Sequence, residues 1–400
     1  MAVKLDSERW WGQPGIRELL TVLGAEDGLI RFVGGTVRDE LLGIPHADVD
    51  LATRLDPTAV LERLATTKIK AVPTGIEHGT ITAVSRGQVA EITTLRRDVS
   101  TDGRRAVVAF TEDWKEDAAR RDFTINALSA DPVSGEIFDY FDGLEDLEKR
   151  HIRFIGNPLE RIAEDHLRIL RVFRVPARFG SGEPDRAALD ACSERANDLM
   201  ALSRERIADE LLKLLAIEDP AETLAIMLRR GILNPVLPEI QPQRLGDIEA
   251  LIEAERATGI APDPLRRLAA LLPRDPALAE TIAARLKLSN KARKRLACAA
   301  DGDLGLSIEA LGYRVGPDCA VDRLLLAGRA ADAAAIQSWT PPRLPVSGGA
   351  LIARGLAEGP IVARTLRRIE DDWVREGFPS GAAFEEIVGR GLAAAFKSEG

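Results

Sequence analysis

Strand-like segments are confined to the first part of the chain, and the rest is patterned for helices. β-type runs occur at residues 29–35, 48–55 and 79–95, where β-branched residues and alternating polarity favour strands. Beyond residue 150 the apolar residues recur at helical spacing instead. This change predicts an α/β domain over residues 1–150, followed by an all-α region.

Helix boundaries in the second region are marked by capping residues, prolines and glycines. Asn157 followed by Pro158 is a typical helix start, and it predicts a helix over residues 159–179. The proline- and glycine-rich segment 340–349 is the clearest linker-like stretch, because its residues do not continue a helix. Further helices are predicted at residues 203–216, 219–231 and 284–300.

The cysteines and the chain's start bear on the compartment. Cys192, Cys298 and Cys319 lie far apart and form no CxxC pair, so the sequence predicts neither a disulfide framework nor a thiolate zinc site. The start of the chain lacks the apolar stretch of a signal peptide, and no later run reaches the length of a membrane span. We therefore expect a cytoplasmic protein in a reducing environment.

Charge and aromatic content limit the ways in which this chain can bind nucleic acid. The net charge is -9, which argues against binding through the whole surface, since phosphate attraction depends on local Lys and Arg contacts. Aromatic residues make up only 4% of the chain, so a broad stacking platform is excluded. Any nucleic-acid site is expected to be a local patch of arginines and hydrogen-bonding groups.

Two aspartates, Asp48 and Asp50, form a DVD sequence within a predicted strand. Alternate strand residues face the same side about 7 Å apart, so both carboxylates would point into one site. Carboxylate oxygens are the ligands that Mg²⁺ prefers, and two such ions about 4 Å apart serve phosphoryl transfer. An isolated pair of this kind is more often a solvated edge or turn, so the neighbouring motifs have to decide.

The segment FVGGTVRDELLG, which precedes the aspartates, has an apolar strand that runs into Gly34 and Gly35. Glycines let the backbone approach a ligand closely, and Arg38 follows near the start of a predicted helix. This arrangement suits a triphosphate, although a Gly-Gly pair also serves as an ordinary tight turn. The spacing matches neither the dinucleotide-binding motif nor the P-loop.

Two further groups of polar residues accompany these motifs. Glu91 interrupts an apolar strand and is a candidate third acidic group beside the aspartates, or else an outward-facing residue on a half-exposed strand. The segment ARRDFTINAL places Arg121 and Asp122 a few residues before Asn126, on a strand or helix. Arginine suits phosphates, and an aspartate can accept a hydrogen bond from a ribose hydroxyl.

One face of the predicted helix 159–179 is rich in arginine. Asp165 precedes Arg168 by about one turn, so the two side chains are expected to brace each other and read the edge of a base. The alternative is a solvated, salt-bridged face. Pro176 lies within this helix and leaves the direction of Arg178 open. The arginines at intervals of three or four are Arg168, Arg171, Arg174 and Arg178.

Other charged or metal-binding residue types form weaker patterns. A basic cluster at residues 287–295 is expected to be a solvated helix face, with contact to an RNA backbone as the alternative. The four histidines form no HxxxH or HD pair, so a histidine-metal hydrolase site is not indicated. The cluster comprises Lys287, Lys291, Arg293, Lys294 and Arg295.

Taken in order, VGGTVRDELLGIPHADVDLAT, RRDFTINAL and EDHLRILRVFR closely resemble the class II CCA-adding tRNA nucleotidyltransferase and bacterial poly(A) polymerase family. The resemblance implies a polymerase-β-like nucleotidyltransferase head over residues 1–150. It also implies a helical neck over 151–215, which recognises the base, a body over 216–320 and a tail over 321–400 that contacts tRNA. The expected substrates are tRNA, ATP and CTP, with Mg²⁺ as cofactor and no obligate protein partner.

The resemblance also assigns roles to individual residues. Asp48 and Asp50 would bind Mg²⁺ with Glu91 beside them, Gly34, Gly35 and Arg38 would hold the triphosphate, and Arg121, Asp122 and Asn126 would meet the phosphates and ribose. Asp165 and Arg168 would read the base, and Arg171 and Arg174 would add nucleotide contacts.

The resemblance leaves several activities to be distinguished. Complete CCA addition is favoured because residues 96–110, which separate the metal strand from RRDFTINAL, have full length. A poly(A) polymerase is the nearest competitor, but its usual basic extensions are lacking in a chain of pI about 5.3. The resemblance is also compatible with a CC-adding or A-adding specialist and with a non-catalytic RNA-binding relative.

Overall fold

The computed structural model describes residues 4–6, 12–44, 49–101, 106–177, 185–305 and 307–399. The chain divides into two units. The first unit contains Met1–Leu214 and Ile226–Val236, and the second contains Leu215–Ala225 and Leu237–Gly400. The four-part division into head, neck, body and tail stays a prediction.

Strands occur in the first unit alone, among the described residues, as the change in sequence pattern predicted. Seven of them form one mixed sheet in the order β3-β4-β5-β2-β1-β8-β9, and β6 pairs with β7 separately. The strands are β1 (Ile30–Val33), β2 (Val49–Thr53), β3 (Lys70–Gly75), β4 (Thr80–Ser85), β5 (Gln88–Thr94), β6 (Arg96–Thr101), β7 (Ala106–Phe110), β8 (Ser129–Ala130) and β9 (Ile137–Phe138).

The centre of the sheet is apolar and fixes the register of the strands. Phe32 of β1 lies opposite Leu51 of β2, and both side chains are almost fully buried. β2 and β5 are parallel, so that Asp50 lies opposite Glu91. The predicted run 79–95 divides into β4 and β5 at Arg86 and Gly87, which both have positive φ angles. Such angles are typical of the two-residue turn of a hairpin.

The helices of the first unit alternate with the strands along the chain and continue after the last strand. The predicted helices 203–216 and 219–231 correspond to α9 and α10, and their predicted ends agree with the observed ends to within two residues. A boundary between the units falls within α9, after Leu214, and another within α10, after Ala225. The helices are α1 (Pro14–Val22), α2 (Gly35–Leu41), α3 (Pro57–Ala65), α4 (Trp114–Ala119), α5 (Gly143–Glu148), α6 (Pro158–Glu164), α7 (Arg168–Ala177), α8 (Arg186–Glu194), α9 (Arg204–Leu215) and α10 (Ala221–Arg229).

The predicted helix 159–179 is interrupted at Asp165, so the expectation of a single helix was wrong. Asp165 has an extended backbone, with φ -150° and ψ 107°, and its carboxylate accepts a hydrogen bond from the Leu167 amide at 3.1 Å. Side-chain bonds of this kind compete with the helical backbone. Pro176 lies inside α7, and Arg178 lies outside the described residues.

The second unit is helical throughout its described residues. The predicted helix 284–300 is in fact two helices, because Lys287 has a φ of 54° and Ser289 caps a new helix through the Ala292 amide. The helices are α11 (Leu245–Thr258), α12 (Pro264–Leu271), α13 (Pro276–Arg285), α14 (Asn290–Ala299), α15 (Ile308–Val315), α16 (Pro317–Leu326), α17 (Ala330–Gln337), α18 (Gly348–Ala353), α19 (Pro360–Arg375) and α20 (Gly381–Glu399).

A buried arginine–carboxylate network, formed by Glu255, Arg266, Arg267, Arg295 and Asp322, joins four helices of the second unit. Asp322 of α16 is fully buried and lies 2.8 Å from Arg266 of α12 and 2.7 Å from Arg295 of α14. Glu255 of α11 contacts Arg266 and Arg267 at 2.5 and 2.9 Å. Arg295 therefore does not belong to a solvated basic face, which corrects the interpretation of residues 287–295.

A disulfide joins Cys298 of α14 to Cys319 of α16, with Cα atoms 6.3 Å apart. The expectation that the cysteines form no disulfide was therefore wrong. Their separation of 21 residues gave no indication, since the pairing depends on the packing of two helices. Cys192 is free and buried, and burial raises the pKa of its thiol to about 12. No helix in the described ranges has the length and apolar character needed to cross a membrane.

Candidate active site

The Gly34-Gly35 turn brings the backbone close to functional side chains of two other segments. Gly34 has a φ of 62°, a conformation that glycine adopts without strain. A Cβ atom on Gly34 would lie 2.9 Å from Arg121 Nη1, and one on Gly35 would lie 3.6 Å from Asp50 Oδ2. The predicted turn therefore lies between an arginine and a carboxylate.

Acidic residues come together on the neighbouring strands β2 and β5. Asp50 and Glu91 are register partners in this parallel pair, so their side chains lie on one face of the sheet, with the strands about 4.8 Å apart. The Thr36 hydroxyl accepts a hydrogen bond from the Asp50 amide at 2.8 Å and ties β2 to the glycine turn. Asp48 lies outside the described residues. Among the residues that the structure describes, no group of three or more potential metal-ligating side chains forms.

The RRD segment and Arg38 form a buried hydrogen-bonded chain. Arg38 pairs with Asp39 at 2.7 Å and donates to the amide oxygen of Asn126. Asn126 in turn donates to Asp122 Oδ1 at 2.9 Å. Asp122 Oδ2 lies 2.8 Å from Arg171 but accepts no hydrogen bond from the described part of the chain. The carboxylate of Asp122 is thus held in place by Asn126 and Arg171.

Two buried aspartates of this region remain ionised because of their arginine partners. Burial alone would raise the pKa of Asp122, but Arg171 and the hydrogen bond from Asn126 outweigh it, and the pKa is lowered. Burial likewise opposes ionisation of Asp117, whereas Arg121 and Arg120 lower its pKa. Asp117 contacts Arg120 at 2.7 Å and Arg121 at 3.0 Å. The site is thus charged at neutral pH.

The expected brace between Asp165 and Arg168 is not formed. Arg168 donates instead to Glu164 at 2.5 Å, and to the carbonyl oxygens of Arg161 and Arg120 at 2.9 Å each. Asp165 accepts from Arg206 of α9, at 2.8 and 3.1 Å. The reason is the interruption between α6 and α7, which removes the helical turn that would have placed the two side chains together.

The other two arginines of α7 that were predicted to contact the nucleotide, Arg171 and Arg174, pair with buried carboxylates. Arg174 donates to the buried Glu210 at 2.5 Å, one helical turn from Arg206 on the same helix. Asp122 raises the pKa of Arg171, which remains charged. Both arginines are salt-bridged to buried carboxylates, and neither is the freely solvated charge that the alternative interpretation of this face assumed.

A cavity of about 770 Å³ in the first unit collects most of the predicted site residues. Its basic side chains outnumber its acidic ones eight to four, which favours an anionic ligand. Glu91 is not part of the lining. The predicted residues that line the cavity are Gly34, Gly35, Arg38, Asp50, Arg121, Asp122, Asn126, Asp165, Arg168, Arg171 and Arg174.

Several residues of the site were missed in the sequence. Asp117 precedes Arg120 and Arg121 by three and four residues, a spacing that indicates contact on a helix. No comparable signal exists for Arg206 and Glu210, whose partners lie 41 and 36 residues away. The cavity is also lined by Thr36, Asp39, Arg96, Arg120, Val175 and Lys213.

Known proteins resemble this chain over most of its length. Residues 30–153 match the family described as the Poly A polymerase head domain. Residues 183–244 match the one described as a probable RNA and SrmB-binding site of polymerase A. The mitochondrial CCA tRNA nucleotidyltransferase 1 of Mus musculus is 33% identical over 91% of this chain and 87% of its own. The CCA-adding enzyme of Lactococcus lactis is 42% identical over 54% and 53%.

Solved structures share the fold. The CCA-adding enzyme of Bacillus stearothermophilus, in complex with CTP, has a TM-score of 0.70 and 24% identity, over 96% of this chain and 100% of its own. The Thermotoga maritima enzyme, complexed with a tRNA, has a TM-score of 0.69 and 20% identity, over 98% and 100%. The mixed sheet followed by helices is therefore a known architecture.

Proposed function

This chain belongs to the class II CCA-adding enzyme and bacterial poly(A) polymerase family, and from that premise we propose how its residues carry out the reaction. It is a CCA tRNA nucleotidyltransferase, which adds C, C and A to the 3′ end of tRNA from CTP and ATP. The observation that best supports a residue assignment is the single cavity that joins Asp50, the glycine turn, the RRD segment and α7.

The incoming nucleotide is held by three groups of residues in this proposal. Arg38 and Arg121, beside the glycine turn, bind the triphosphate, since guanidinium groups suit phosphate oxygens. Asp122, which lines the cavity, accepts a hydrogen bond from the ribose through its carboxylate, which Asn126 and Arg171 hold in place. Asp165 and Arg168 read the edge of the base.

The metal site in this proposal consists of Asp48 and Asp50, with Glu91 beside them. Family members of this polymerase-β-like type generally use divalent metals, and we propose Mg²⁺ because the donors are carboxylate oxygens. The register of Asp50 and Glu91 fits such a site. When bound, the metal would lower the pKa of the attacking hydroxyl and neutralise charge on the leaving group.

The bond changes follow from the substrates. The 3′-hydroxyl of tRNA gives up its proton to solvent, and its oxygen forms a bond to the α-phosphorus of CTP or ATP. The bond between that phosphorus and the bridging oxygen breaks, and pyrophosphate leaves. The protein's contribution is positioning and charge stabilisation, so no covalent protein intermediate is required. Arg38 and Arg121 stabilise the negative charge that builds up on the pyrophosphate.

A primer-extension assay tests this function directly. Purified protein is incubated with Mg²⁺ and tRNA that ends at the discriminator base, with CTP and ATP supplied singly and together, and the 3′ ends are sequenced. We expect CC with CTP alone and CCA with both nucleotides. Long A tails, or a stop at CC when both nucleotides are present, would contradict complete CCA addition.

Replacing Arg168 by Ala is expected to damage nucleotide choice. A bidentate side-chain contact to a base edge contributes about 1–3 kcal/mol of discrimination, so the preference for CTP and ATP over UTP and GTP should fall about ten- to a hundredfold. The measurement is the ratio of kcat/KM for each nucleotide, which does not depend on the folded fraction. Arg186, which is 92% exposed, provides a matched Arg→Ala control in the same unit. An unchanged ratio in the Arg168 variant would remove it from base reading.

Contact of the chain's last helices with tRNA is a separate proposal. Arg364, Arg367 and Arg368 are exposed on α19 at spacings that share one helix face. None of the three belongs to an ion pair within the described ranges, in contrast to most exposed arginines of the second unit. They are therefore available for phosphates.

Changing these three arginines to Gln is expected to raise KM for tRNA while leaving KM for CTP unchanged. Each lost phosphate contact should lower the slope of log Kd against log salt by about 1. Arg329, Arg354 and Arg390 form exposed ion pairs with Asp332, Glu385 and Glu376. The corresponding triple Gln variant removes the same charge and serves as the control. Equal effects of both triple variants would exclude a specific contact at α19.

The compartment is a further proposal. We retain the expected cytoplasmic location, whereas the name of the mouse relative places that protein in mitochondria. Fractionation of cells that express the tagged chain from its natural locus distinguishes the two locations.

A further inference from the structure

Arg96 faces the cavity in which the nucleotide is proposed to bind, called the nucleotide cavity below. No motif in the sequence indicated a role for this residue. It is the first residue of β6, directly after the strand that carries Glu91, and its side chain lines the same cavity as Arg121. Its backbone amide donates to Asp117 Oδ1 at 3.3 Å, and its Nη1 donates to the carbonyl oxygen of His78. The Arg96 side chain is thus anchored to the backbone at His78, just before β4.

The guanidinium group of Arg96 is incompletely satisfied. Its Nε atom is buried and has no hydrogen-bond partner, and the residue forms no ion pair with any part of the chain that the structure describes. Leaving a buried charged donor without a partner is costly. Burial and, next, the charge of Arg120 lower the pKa of Arg96 to about 10. A negatively charged ligand in the cavity would stabilise the charged guanidinium group and so offset the lowering of its pKa.

The side chains around Arg96 carry more positive than negative charge. Arg96, Arg120 and Arg121 lie around the carboxylate of Asp117, and two of them already bond to its two oxygens. Three guanidinium charges against the carboxylates of Asp117 and Asp98 leave an excess of positive charge, as in the cavity as a whole, where eight basic side chains accompany four acidic ones. Asp98, the other acidic neighbour of Arg96, is not among the residues that line the nucleotide cavity.

A ligand with more than one negative charge fits this excess better than a single phosphodiester of an RNA backbone. Arg121 indicates where the negatively charged part of the ligand binds, because this arginine lies against the glycine turn where the triphosphate is proposed to bind. Within a nucleoside triphosphate, the β- and γ-phosphates carry most of the charge and leave together.

On the basis of the proposed function, we propose that Arg96 is a further substrate-binding residue, which donates to the β- and γ-phosphates of incoming CTP or ATP and then to the departing pyrophosphate. Arg96 is thereby distinct from Arg168, which contacts the base end of the same cavity. Loss of Arg96 should weaken the binding of ligands that contain the terminal phosphates, and it should leave the affinity for ligands without them unchanged.

The test is calorimetric binding to the full chain in Mg²⁺ buffer without tRNA, with CTP, CMP and inorganic pyrophosphate as separate ligands. We expect Arg96→Gln to weaken CTP and pyrophosphate binding about 10- to 100-fold, the usual effect of losing a charge-assisted hydrogen bond. Affinity for CMP should stay unchanged. Arg96→Lys should recover part of the loss because it keeps the charge.

The neighbouring residue provides the control. Arg97 is exposed and lines a separate, smaller pocket, so Arg97→Gln should leave all three affinities unchanged. Equal weakening of CMP and CTP, or unaltered pyrophosphate binding, would refute the proposal. So would a rise in KM for tRNA alone, which would assign Arg96 to the RNA backbone. A wild-type protein that binds pyrophosphate but does not extend tRNA would instead contradict the proposed function.

Discussion

Replacing Asp50 by Asn is expected to slow nucleotide addition about a thousandfold or more while the first unit remains folded. A bound metal contributes several kcal/mol of charge stabilisation, and about 1.4 kcal/mol corresponds to a factor of ten in rate. Asn retains the size of Asp50, and the hydrogen bond from its backbone amide to Thr36 does not involve the side chain. The measurement is single-turnover CMP incorporation at saturating Mg²⁺ and tRNA.

An Asp→Asn substitution at an exposed position distinguishes the loss of a metal-binding carboxylate from the loss of one negative charge. Asp27 of the first unit is exposed, and Asp27→Asn should leave incorporation unchanged. Asp48→Asn is expected to act like Asp50→Asn, because both residues belong to the predicted DVD pair. Thermal melting of each variant reports on the fold. Near-normal incorporation in both the Asp48 and Asp50 variants would refute the metal assignment.

Replacing Asp322 by Asn is expected to destabilise the second unit by about 3–5 kcal/mol, the usual cost of breaking a buried ion pair from one side. Asp322 is fully buried, and its two oxygens bind Arg266 and Arg295. The neutral amide would remove the carboxylate that Arg266 and Arg295 share, and each arginine would keep one other acidic partner, Glu255 and Asp263 respectively. Native-state hydrogen exchange of α11, α12 and α16 measures the change in opening free energy.

Asp332 provides the matched control for this substitution. It lies on the surface of the same unit and pairs with Arg329, and exposed pairs of this type contribute about 1 kcal/mol or less. Asp332→Asn should therefore have little effect on exchange. Similar protection losses in the two variants would show that the network does not stabilise the second unit.

The local parts of the site were predictable from the sequence. The glycine turn and Asp50 lie within a few residues of strands that the polarity pattern identifies, and neighbouring strands bring them together. Asp122 and Asn126 are four residues apart, and their contact within one turn follows from that spacing. The same reasoning separated the strand-containing part of the chain from the helical part, because the two patterns have different periods.

The long-range contacts were not predictable. Asp165 breaks its helix because its carboxylate caps the next one and binds Arg206, a residue 41 positions away. The disulfide and the position of Arg295 depend on how α14 and α16 pack, about which hydrophobic periodicity carries no information. A spacing rule assumes a continuous helix, so it fails where a side chain ends that helix.

The contacts that α9 makes with the proposed base-reading residues limit how this enzyme can be re-engineered. Arg206 and Glu210 of α9 form ion pairs with Asp165 and Arg174, which lie in the segment proposed to read the bases. A segment transplanted from a relative with other base preferences would arrive without the partners that orient it. A functional chimera therefore has to exchange residues 158–177 together with α9, and substitutions in either piece are expected to be epistatic with those in the other.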